Sequence, residues 1–433
     1  MSPLFFGFLG ILLLFLLLLT SMPVAFAMAA AGVAGFALIV SPYAAISMAV
    51  MDLLDSILSY NLTVIPLFVL MGQTAFHAGI STGLFRAAYA WFGHLPGGLA
   101  MATVGACAGF GAISGSGPAT AATMAAVAMP EMRRYAYSDA LAGGAVAAGG
   151  SLGMLIPPSV VFIVYALLTG QSIGELFLAG IIPGVLITLL FCLSIGIRCG
   201  RNPLLGPPGP KAPWRERFVS LAGILETLIL FAAVMGGMFL GLFTAIEAAA
   251  VGAAGSLIIA LVKKSLPLPV LKKIIQETVR TSCMVLFIVT AASIFGRFLA
   301  VSQIPFSAAS WFAGLPLPGF LIMLLIILFF LVAGCFIDAL ALVLLTVPIF
   351  FPVVTKLGYN PIWFGVMIVV VTQMSVITPP VGVNVYVVSG IERDIPLQTI
   401  FRGAMPFLLM LFAAAGALMA FPGLCLFLPS AGR

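Results

Sequence analysis

Apolar residues occur along this chain in long, nearly uninterrupted runs that are separated by short polar turns. The run at residues 4–22 has no basic segment before it, so we expect a retained helix and not a signal peptide. Later runs, at residues 221–243 and 245–262, are also long enough to span a bilayer as helices. By this length rule we count about ten crossings plus two re-entrant hairpins. The pattern predicts an all-α polytopic membrane protein.

The dipeptide Pro-Pro interrupts two of these apolar runs, at Pro157-Pro158 and at Pro379-Pro380. A proline removes one helical hydrogen bond and clashes with the preceding turn. Within a membrane, the freed backbone groups are tolerated only where they line a cavity or are buried in protein. Two broken helices in corresponding positions of the two halves therefore indicate the binding site of a transporter.

Composition and charge support this class and exclude others. Of the 433 residues, 63% are hydrophobic and 7% are charged, whereas about a quarter are charged in a soluble domain. The formal charge of +6 does not indicate nucleic-acid binding, because the basic residues lie mostly in loops beside the expected lipid bilayer. The sequence has no metal or redox spacing of cysteines and no G-x-x-x-x-G-K-[ST] loop for ATP. It also has no nucleophile–His–acid set, so we expect no enzyme.

The two halves of the chain resemble each other. The motif WFGHLP at residues 91–96 returns as WFAGLP at residues 311–316, and Pro130 and Pro157 align with Pro352 and Pro379. A duplication accounts for this agreement. By our count, five crossings and one hairpin separate the starts of the repeats, so the repeats enter the membrane from opposite faces. The chain is therefore predicted to be an inverted-repeat transporter.

This reasoning divides the chain into four segments. Residues 1–58 form N-terminal scaffold helices, and residues 59–197 form repeat 1 with a helix, an inner hairpin at 99–129 and the break at 157–158. Residues 198–280 hold a basic cytoplasmic loop, two scaffold helices and an amphipathic surface helix. Residues 281–428 form repeat 2 with a helix, an outer hairpin at 320–351 and the break at 379–380.

The predicted tip of the first hairpin is the most polar stretch at membrane depth, with the sequence SGSGPAT at residues 114–120. Glycine permits a positive φ and the close approach of a ligand, and hydroxyls supply oxygen ligands. Helix ends at such a turn add partial charges of both signs. The combination suits an alkali cation and an anionic substrate. The alternative is a tight helix–helix contact made by small residues.

Two charged residues lie inside apolar sequence. Asp338, near the second predicted hairpin tip, suits a Na⁺ ligand or a proton carrier, and a structural pairing is the alternative. Arg297 suits a bidentate clamp on a carboxylate, and snorkelling to the outer interface is the alternative. Asp52 and Asp55 share one side of a predicted surface helix, and we expect both to be solvated. Glu247 fits a capping box with Thr244.

Polar side chains surround the second break. Gln373 and Asn384 are able to donate hydrogen bonds to an anionic substrate, and the alternative for both is an interhelical hydrogen bond.

At these residues the chain resembles the large membrane subunit of the tripartite ATP-independent periplasmic (TRAP) transporters, over nearly its whole length. The resemblance rests on five motifs, which are IPLFVLMG at 65–72, ISGSGPATAA at 113–122, LIPPS at 155–159, GLFTAIEA at 241–248 and TPPVGVN at 378–384.

The resemblance implies an elevator-type importer in the bacterial inner membrane, driven by a Na⁺ gradient and not by ATP. A periplasmic binding protein would deliver a small anionic organic acid such as a dicarboxylate or a sialic acid, and a separate small four-helix membrane subunit would complete the permease. One Na⁺ site would join the first hairpin tip to the first break, and another would join the Asp338 hairpin to the second break. The residues assigned to Na⁺ are Ser114, Gly115, Pro157, Asp338, Thr378 and Gly382. The residues assigned to substrate are Arg297, Ser116, Thr120, Gln373 and Asn384.

Many members of this family carry an aromatic residue where this chain has Arg297, so the arginine is a candidate for substrate choice. A stand-alone ion-coupled carboxylate transporter of similar architecture, without a binding protein, is the alternative function.

Overall fold

A computed structural model describes residues 2–20, 22–314 and 316–431, and within these ranges the chain is helical and has no strand. Leu315 of the repeated motif lies outside the described residues. The chain begins with three apolar helices, α1 (Pro3–Leu19), α2 (Val24–Ile39) and α3 (Pro42–Leu58). Ser2 and Ser41 cap α1 and α3, and a proline follows each cap. A proline is tolerated at that position because its missing N–H would have no helical partner there.

Seven helices follow up to the basic loop. They are α4 (Val64–His77), α5 (Ile80–Phe92), α6 (Gly98–Ser114), α7 (Gly117–Arg134), α8 (Asp139–Ser151), α9 (Val160–Thr169) and α10 (Ile173–Arg201). Short 3₁₀ turns at Tyr60–Thr63 and Leu152–Met154 precede α4 and follow α8. The first hairpin is therefore formed by α6 and α7, which meet at Gly115 and Ser116.

The middle of the chain contains a 3₁₀ turn (Pro203–Leu205) and the helices α11 (Trp214–Ser220), α12 (Ala222–Phe231), α13 (Gly237–Phe239) and α14 (Ala245–Val262). A π-helical turn at Ala232–Gly236 joins α12 to α13. The predicted capping box is confirmed, because Glu247 N donates to Thr244 Oγ1 (3.3 Å) and Thr244 N donates to Glu247 Oε2 (2.8 Å).

Eight helices complete the described chain. They are α15 (Leu268–Val301), α16 (Ile304–Ala313), α17 (Gly319–Gly334), α18 (Ala339–Lys356), α19 (Pro361–Ser375), α20 (Val383–Ile391), α21 (Leu397–Ala420) and α22 (Gly423–Ala431).

The helix order supports the internal repeat. Helices α7 and α8 begin at residues 117 and 139, and α18 and α19 begin at 339 and 361, which is the spacing between the two Pro-Pro dipeptides. Each dipeptide lies in a non-helical segment between two short helices, α8 and α9 or α19 and α20, so both predicted breaks are present. That the hairpins are re-entrant, and that the repeats are inverted across the membrane, remain predictions.

The structure has fewer helices that are long and apolar enough to cross a membrane than the crossings that we counted from the sequence. Six of the described helices are long and apolar enough to cross a membrane, or seven if α3 and α4, which are bent by 55°, form one span. The difference arises because several apolar helices have only 10–17 residues, including α1, α9 and α19. A straight crossing needs about 20 residues.

The predicted boundary between the middle segment and repeat 2, at residue 280, lies inside helix α15. Residues 269–279 are not a separate surface helix, because α15 runs without interruption for 34 residues. At 1.5 Å per residue its length is about 51 Å, well beyond the hydrocarbon core. The amphipathic pattern therefore marks the end of a long helix.

The two repeats pack against each other around their broken helices. Helices α7 and α8 contact α20, α8 also crosses α21, and α9 contacts α18. The α8–α21 crossing is so close that a Cβ on Gly144 would lie 2.2 Å from the carbonyl carbon of Gly403. Small residues allow such backbone contact between membrane helices. The hairpins and breaks of both repeats therefore belong to one packed body.

Candidate functional site

Both hairpin tips line one cavity of about 850 Å³. Its walls are the first hairpin tip (residues 114–119), the start of α18, one side of α4 and one side of α15. Most of the lining is apolar, with aromatic side chains from Phe76, Phe110 and Phe287. A concave, mostly apolar chamber with a few polar groups is the usual form of a small-molecule site.

The first hairpin tip is held by hydrogen bonds between its own hydroxyls. Gly115 ends α6 in the left-handed region (φ +63°), and Ser116 begins α7 as its N-cap. The Ser114 and Thr120 hydroxyls lie 2.7 Å apart, and Thr120 Oγ1 donates to the Ser116 carbonyl (2.8 Å). Ser114, Gly115 and Ser116 line the cavity, whereas Thr120 is buried behind them. Thr120 therefore shapes the tip and does not face the cavity.

The first break packs directly on this tip. Val160 N donates to the Gly115 carbonyl (3.3 Å), and a Cβ on Gly115 would lie 2.6 Å from the Pro158 carbonyl oxygen. The structure thus brings Ser114 and Gly115 together with the break that contains Pro157.

The second hairpin meets the second break in a similar way. Val381 N donates to the Cys335 carbonyl (3.3 Å), so the residue after the prolines is bonded to the tip. Asp338 begins α18 as its N-cap, with Oδ2 accepting from Leu340 N (3.0 Å), and its side chain is exposed to the cavity. Thr378 Oγ1 donates to the Met374 carbonyl (2.6 Å).

Gly382 starts α20 with φ +57°. Thr378 and Gly382 thus belong to the break beside the Asp338 hairpin, but neither residue lines the cavity.

Both tips suit a hard cation. Hydroxyl, carbonyl and carboxylate oxygens are the ligands that such ions prefer, and the tips present Ser114, Ser116 and Asp338 to one space. No group of three His, Cys, Asp or Glu residues able to hold a transition metal occurs in the described part of the chain.

Asn384 and Gln373 lie apart from the cavity. Asn384 is fully buried on α20 and its Nδ2 donates to the Ala147 carbonyl on α8 (3.0 Å), which is the interhelical bond considered as the alternative. Gln373 is also fully buried, and neither amide atom has a hydrogen-bond partner among the described residues. Buried polar atoms without a partner are uncommon, so Gln373 stays a candidate for a bound ligand, ion or water.

Arg297 does not line the cavity and pairs instead with Asp52 on α3, with Nε 2.7 Å from Oδ1. The expectation that Asp52 is solvated is wrong, because its side chain is only 3% exposed. Asp52 is buried because α3 packs on α15. An arginine that neutralises this carboxylate has a structural role in the described conformation.

The cavity also contains polar residues that the sequence reasoning missed. Gln73 on α4 and Glu277 and Thr281 on α15 line it, and Glu277 Oε2 lies 3.4 Å from His77 Nε2. Gln73 and His77, and likewise Glu277 and Thr281, are four residues apart and so share one helix face. This four-residue spacing of polar residues is the sequence feature from which a polar helix face could have been predicted.

The charged side chains that line the cavity are acidic, and Lys273, outside the lining, has its Nζ 3.9 Å from Glu277 Oε1. Asp338 and Glu277 line the cavity, and no lysine or arginine does so among the described residues. Two hairpin tips that line one chamber, each bonded to a broken helix, are typical of a membrane transporter.

Comparison with known proteins identifies the family. Residues 11–424 match the family model of the tripartite ATP-independent periplasmic transporter, DctM component. The chain therefore belongs to the large permease subunits of the TRAP transporters, as the sequence motifs indicated. These subunits are transport proteins and not enzymes.

Two curated relatives show the extent of the similarity. The C4-dicarboxylate TRAP transporter large permease protein of Pseudomonas aeruginosa is 38% identical over 394 residues, which cover 91% of each chain. The sialic acid TRAP transporter large permease protein of Vibrio cholerae is 36% identical over 425 residues, covering 98% of this chain and 97% of the relative. Relatives of nearly equal similarity thus differ in the substrate that their names give.

A solved structure with the same fold is that of the YdaH transporter of Alcanivorax borkumensis. It has a TM-score of 0.51 and 17% identity, covering 84% of this chain and 86% of that chain. At this identity the likeness concerns the fold alone.

Proposed function

We propose that this permease imports a small organic acid together with Na⁺ by elevator-type alternating access in the bacterial inner membrane. A periplasmic binding protein delivers the substrate, and a separate small four-helix subunit completes the permease. The observation that carries the proposal is the single cavity on which both hairpin tips converge, each tip bonded to a broken helix.

The charge of the cavity supports cation coupling. Asp338 forms no ion pair among the described residues and would repel an anionic substrate, whereas Glu277 is partly offset by Lys273, whose Nζ lies 3.9 Å from Glu277 Oε1. Two like unit charges about 8 Å apart repel by roughly 2 kcal/mol at an effective dielectric constant of 20. Cations bound at the hairpin tips would remove this repulsion and would be carried with the substrate. Coupling then follows from charge balance.

The residues take distinct roles in this proposal. Ser114 and Gly115 with the Pro157 break form one Na⁺ site, and Asp338 with Thr378 and Gly382 forms the other.

Among the proposed substrate residues, Ser116 has direct access to the cavity, and Thr120 supports it from behind. Arg297, Gln373 and Asn384 do not reach the cavity in the described conformation.

The proposal is tested in proteoliposomes that contain this chain, its small subunit and its binding protein. Uptake of a labelled panel of organic acids is measured with and without an inward Na⁺ gradient. We expect uptake to require both Na⁺ and the binding protein. Uptake that needs Na⁺ but not the binding protein would favour the stand-alone carrier, and uptake indifferent to Na⁺ would contradict the coupling.

A matched pair of variants localises the ion site. Asp338→Asn removes the cavity carboxylate, and we expect the Na⁺ concentration for half-maximal uptake to rise about tenfold or more, since a charged ligand contributes roughly 1.5–3 kcal/mol. Asp394→Asn is the control, because Asp394 is 88% exposed and lies outside the cavity. Equal Na⁺ dependence in the two variants would remove Asp338 from the site.

A further inference from the structure

The cavity that both hairpin tips line also has an aromatic wall, formed by Phe26 at the start of α2 and Phe287 on α15. The centroids of the two rings lie 4.8 Å apart, and the rings are tilted by 53°. Neither ring is enclosed by the chain, because Phe26 is 55% and Phe287 is 36% exposed. Met284 and Ile288 extend this apolar surface within the lining. An apolar part of a substrate therefore has an accessible surface to contact inside the cavity.

Few polar side chains of the cavity remain for the rest of a substrate. The hydroxyls and the carboxylate at the hairpin tips are assigned to ions in the proposed function. Away from the tips, the described lining side chains that carry oxygen or nitrogen are Gln73, Thr123, Glu277 and Thr281. Thr123 Oγ1 already donates to the Ala119 carbonyl (2.8 Å). Because every hydroxyl that a substrate buries needs a hydrogen-bond partner, this lining favours a substrate with few polar groups.

The charge count, which rests on the two Na⁺ ions of the proposed function, admits one carboxylate. The first tip, residues 114–119, has no acidic side chain, so a Na⁺ there keeps its charge, and the positive end of α7 lies at the same tip. At the second tip, the Asp338 carboxylate offsets the charge of the other Na⁺. Glu277 is in turn partly offset by Lys273. One net positive charge therefore remains, and it lies at the first tip.

We propose that the substrate of this permease is a monocarboxylate with an apolar body. Its carboxylate lies at the first hairpin tip beside the Na⁺, and its apolar body lies against the aromatic wall of Phe26 and Phe287. A dicarboxylate would leave its second charge unbalanced, because no lysine or arginine lines the cavity among the described residues. A sugar acid would bury hydroxyls against an apolar surface that offers them no partner.

Cys283 is a natural reporter of this site. It is exposed, lines the cavity and precedes Phe287 by four residues, so the two side chains share one face of α15. The rate of its alkylation by a small maleimide is measured on the full chain purified with its small subunit, in Na⁺ and in K⁺. The binding protein is left out, so that its own selectivity does not enter. Cys283→Ser gives the background from the other five cysteines.

Four ligands separate the charge of the substrate from its shape. Phenylacetate is a monocarboxylate with an apolar ring, 4-carboxyphenylacetate adds a second carboxylate, and phenylacetamide removes the charge. N-acetylneuraminate is the sugar acid. We expect phenylacetate in Na⁺ to slow the alkylation of Cys283 at concentrations about tenfold lower than any of the other three, and to protect poorly in K⁺.

A matched pair of variants localises the aromatic wall. Phe287→Ala removes one ring of the wall, whereas Phe412→Ala removes a 46% exposed ring that lies outside the lining. Each variant is compared with its own alkylation rate without ligand. The phenylacetate concentration for half-maximal protection should rise about tenfold for Phe287→Ala and less than about twofold for Phe412→Ala. If Phe287→Ala is not obtained folded, Phe26→Ala supplies the comparison from the other side of the ring pair.

Several outcomes would overturn the inference. Stronger Na⁺-dependent protection by 4-carboxyphenylacetate or N-acetylneuraminate would refute the substrate class and leave Na⁺-coupled import standing. Equal protection by phenylacetamide would show an apolar cavity without a carboxylate site, and equal effects of the two phenylalanine variants would show that the wall does not touch the ligand. Protection by none of the acids would refute the inference as well. The proposed function itself fails only if uptake in proteoliposomes is indifferent to Na⁺.

Discussion

Gly115→Ala tests the contact between the first hairpin tip and the first helix break. Gly115 has φ +63°, and a Cβ added there would lie 2.6 Å from the Pro158 carbonyl oxygen. The same residue accepts the Val160 backbone N–H at 3.3 Å. Alanine must therefore adopt the left-handed region and also displace the backbone of the break.

The expected loss of stability has two parts. The left-handed conformation costs an alanine roughly 1–2 kcal/mol. Separation of the tip from the break adds about 1–3 kcal/mol, the usual range for overpacking. The unfolding free energy should therefore fall by roughly 2–5 kcal/mol, and the proposed ion site at the tip should be distorted.

Two other glycines separate these contributions. Gly79 has φ +73° with no atom within 4 Å of an added Cβ, so Gly79→Ala measures the conformational part alone. Gly105 is helical and equally free of neighbours, so Gly105→Ala should be neutral or stabilising by up to about 1 kcal/mol. Thermal unfolding and Na⁺-driven uptake are measured for all three variants. If Gly115→Ala behaves as Gly79→Ala does in both assays, the inferred contact with Pro158 is wrong.

The Asp52–Arg297 pair and Gln373 yield two further predictions. Arg297→Ala should lower the unfolding free energy by about 1–3 kcal/mol, because it leaves the Asp52 carboxylate buried and unpaired while the guanidinium was half-exposed. Asp52→Asn in the same chain should restore part of the loss, and reduced uptake at unchanged stability would instead indicate a substrate clamp. Gln373→Met should raise the melting temperature, because it removes two buried amide atoms that lack partners, and should lower uptake if that amide serves a ligand. Higher stability with unchanged uptake would exclude Gln373 from binding.

The sequence was most informative where the backbone chemistry is local. Proline and glycine determine the breaks and tips, so the predicted hairpin at 99–129 agrees with helices that meet at Gly115 and Ser116. The capping box of Thr244 and Glu247 is likewise local, because it involves only four consecutive residues. Such features need no knowledge of the tertiary structure.

Contacts between distant segments could not be read from the sequence. Asp52 lies on a helix with exposed neighbours and becomes buried only because α3 packs on α15, more than 200 positions later. Glu277 and Gln73 reach the cavity for the same reason. The predicted helix boundary near residue 280 is wrong for a different reason. An amphipathic stretch is equally compatible with a separate surface helix and with the end of a longer helix.

The packing of the helices separates the contacts that an elevator motion would break from those that it would keep. Hairpins and broken helices pack mainly on one another and on α5, α10, α16 and α21, whereas α1–α4, α14 and α15 form a second set. The cavity lies between these sets, with Asp338 and Ser116 on one side and Glu277 on the other. Asp52 and Arg297 both belong to the second set. If the first set moves as a body, as proposed, the cavity contacts must change during transport while the Asp52–Arg297 pair persists in every state.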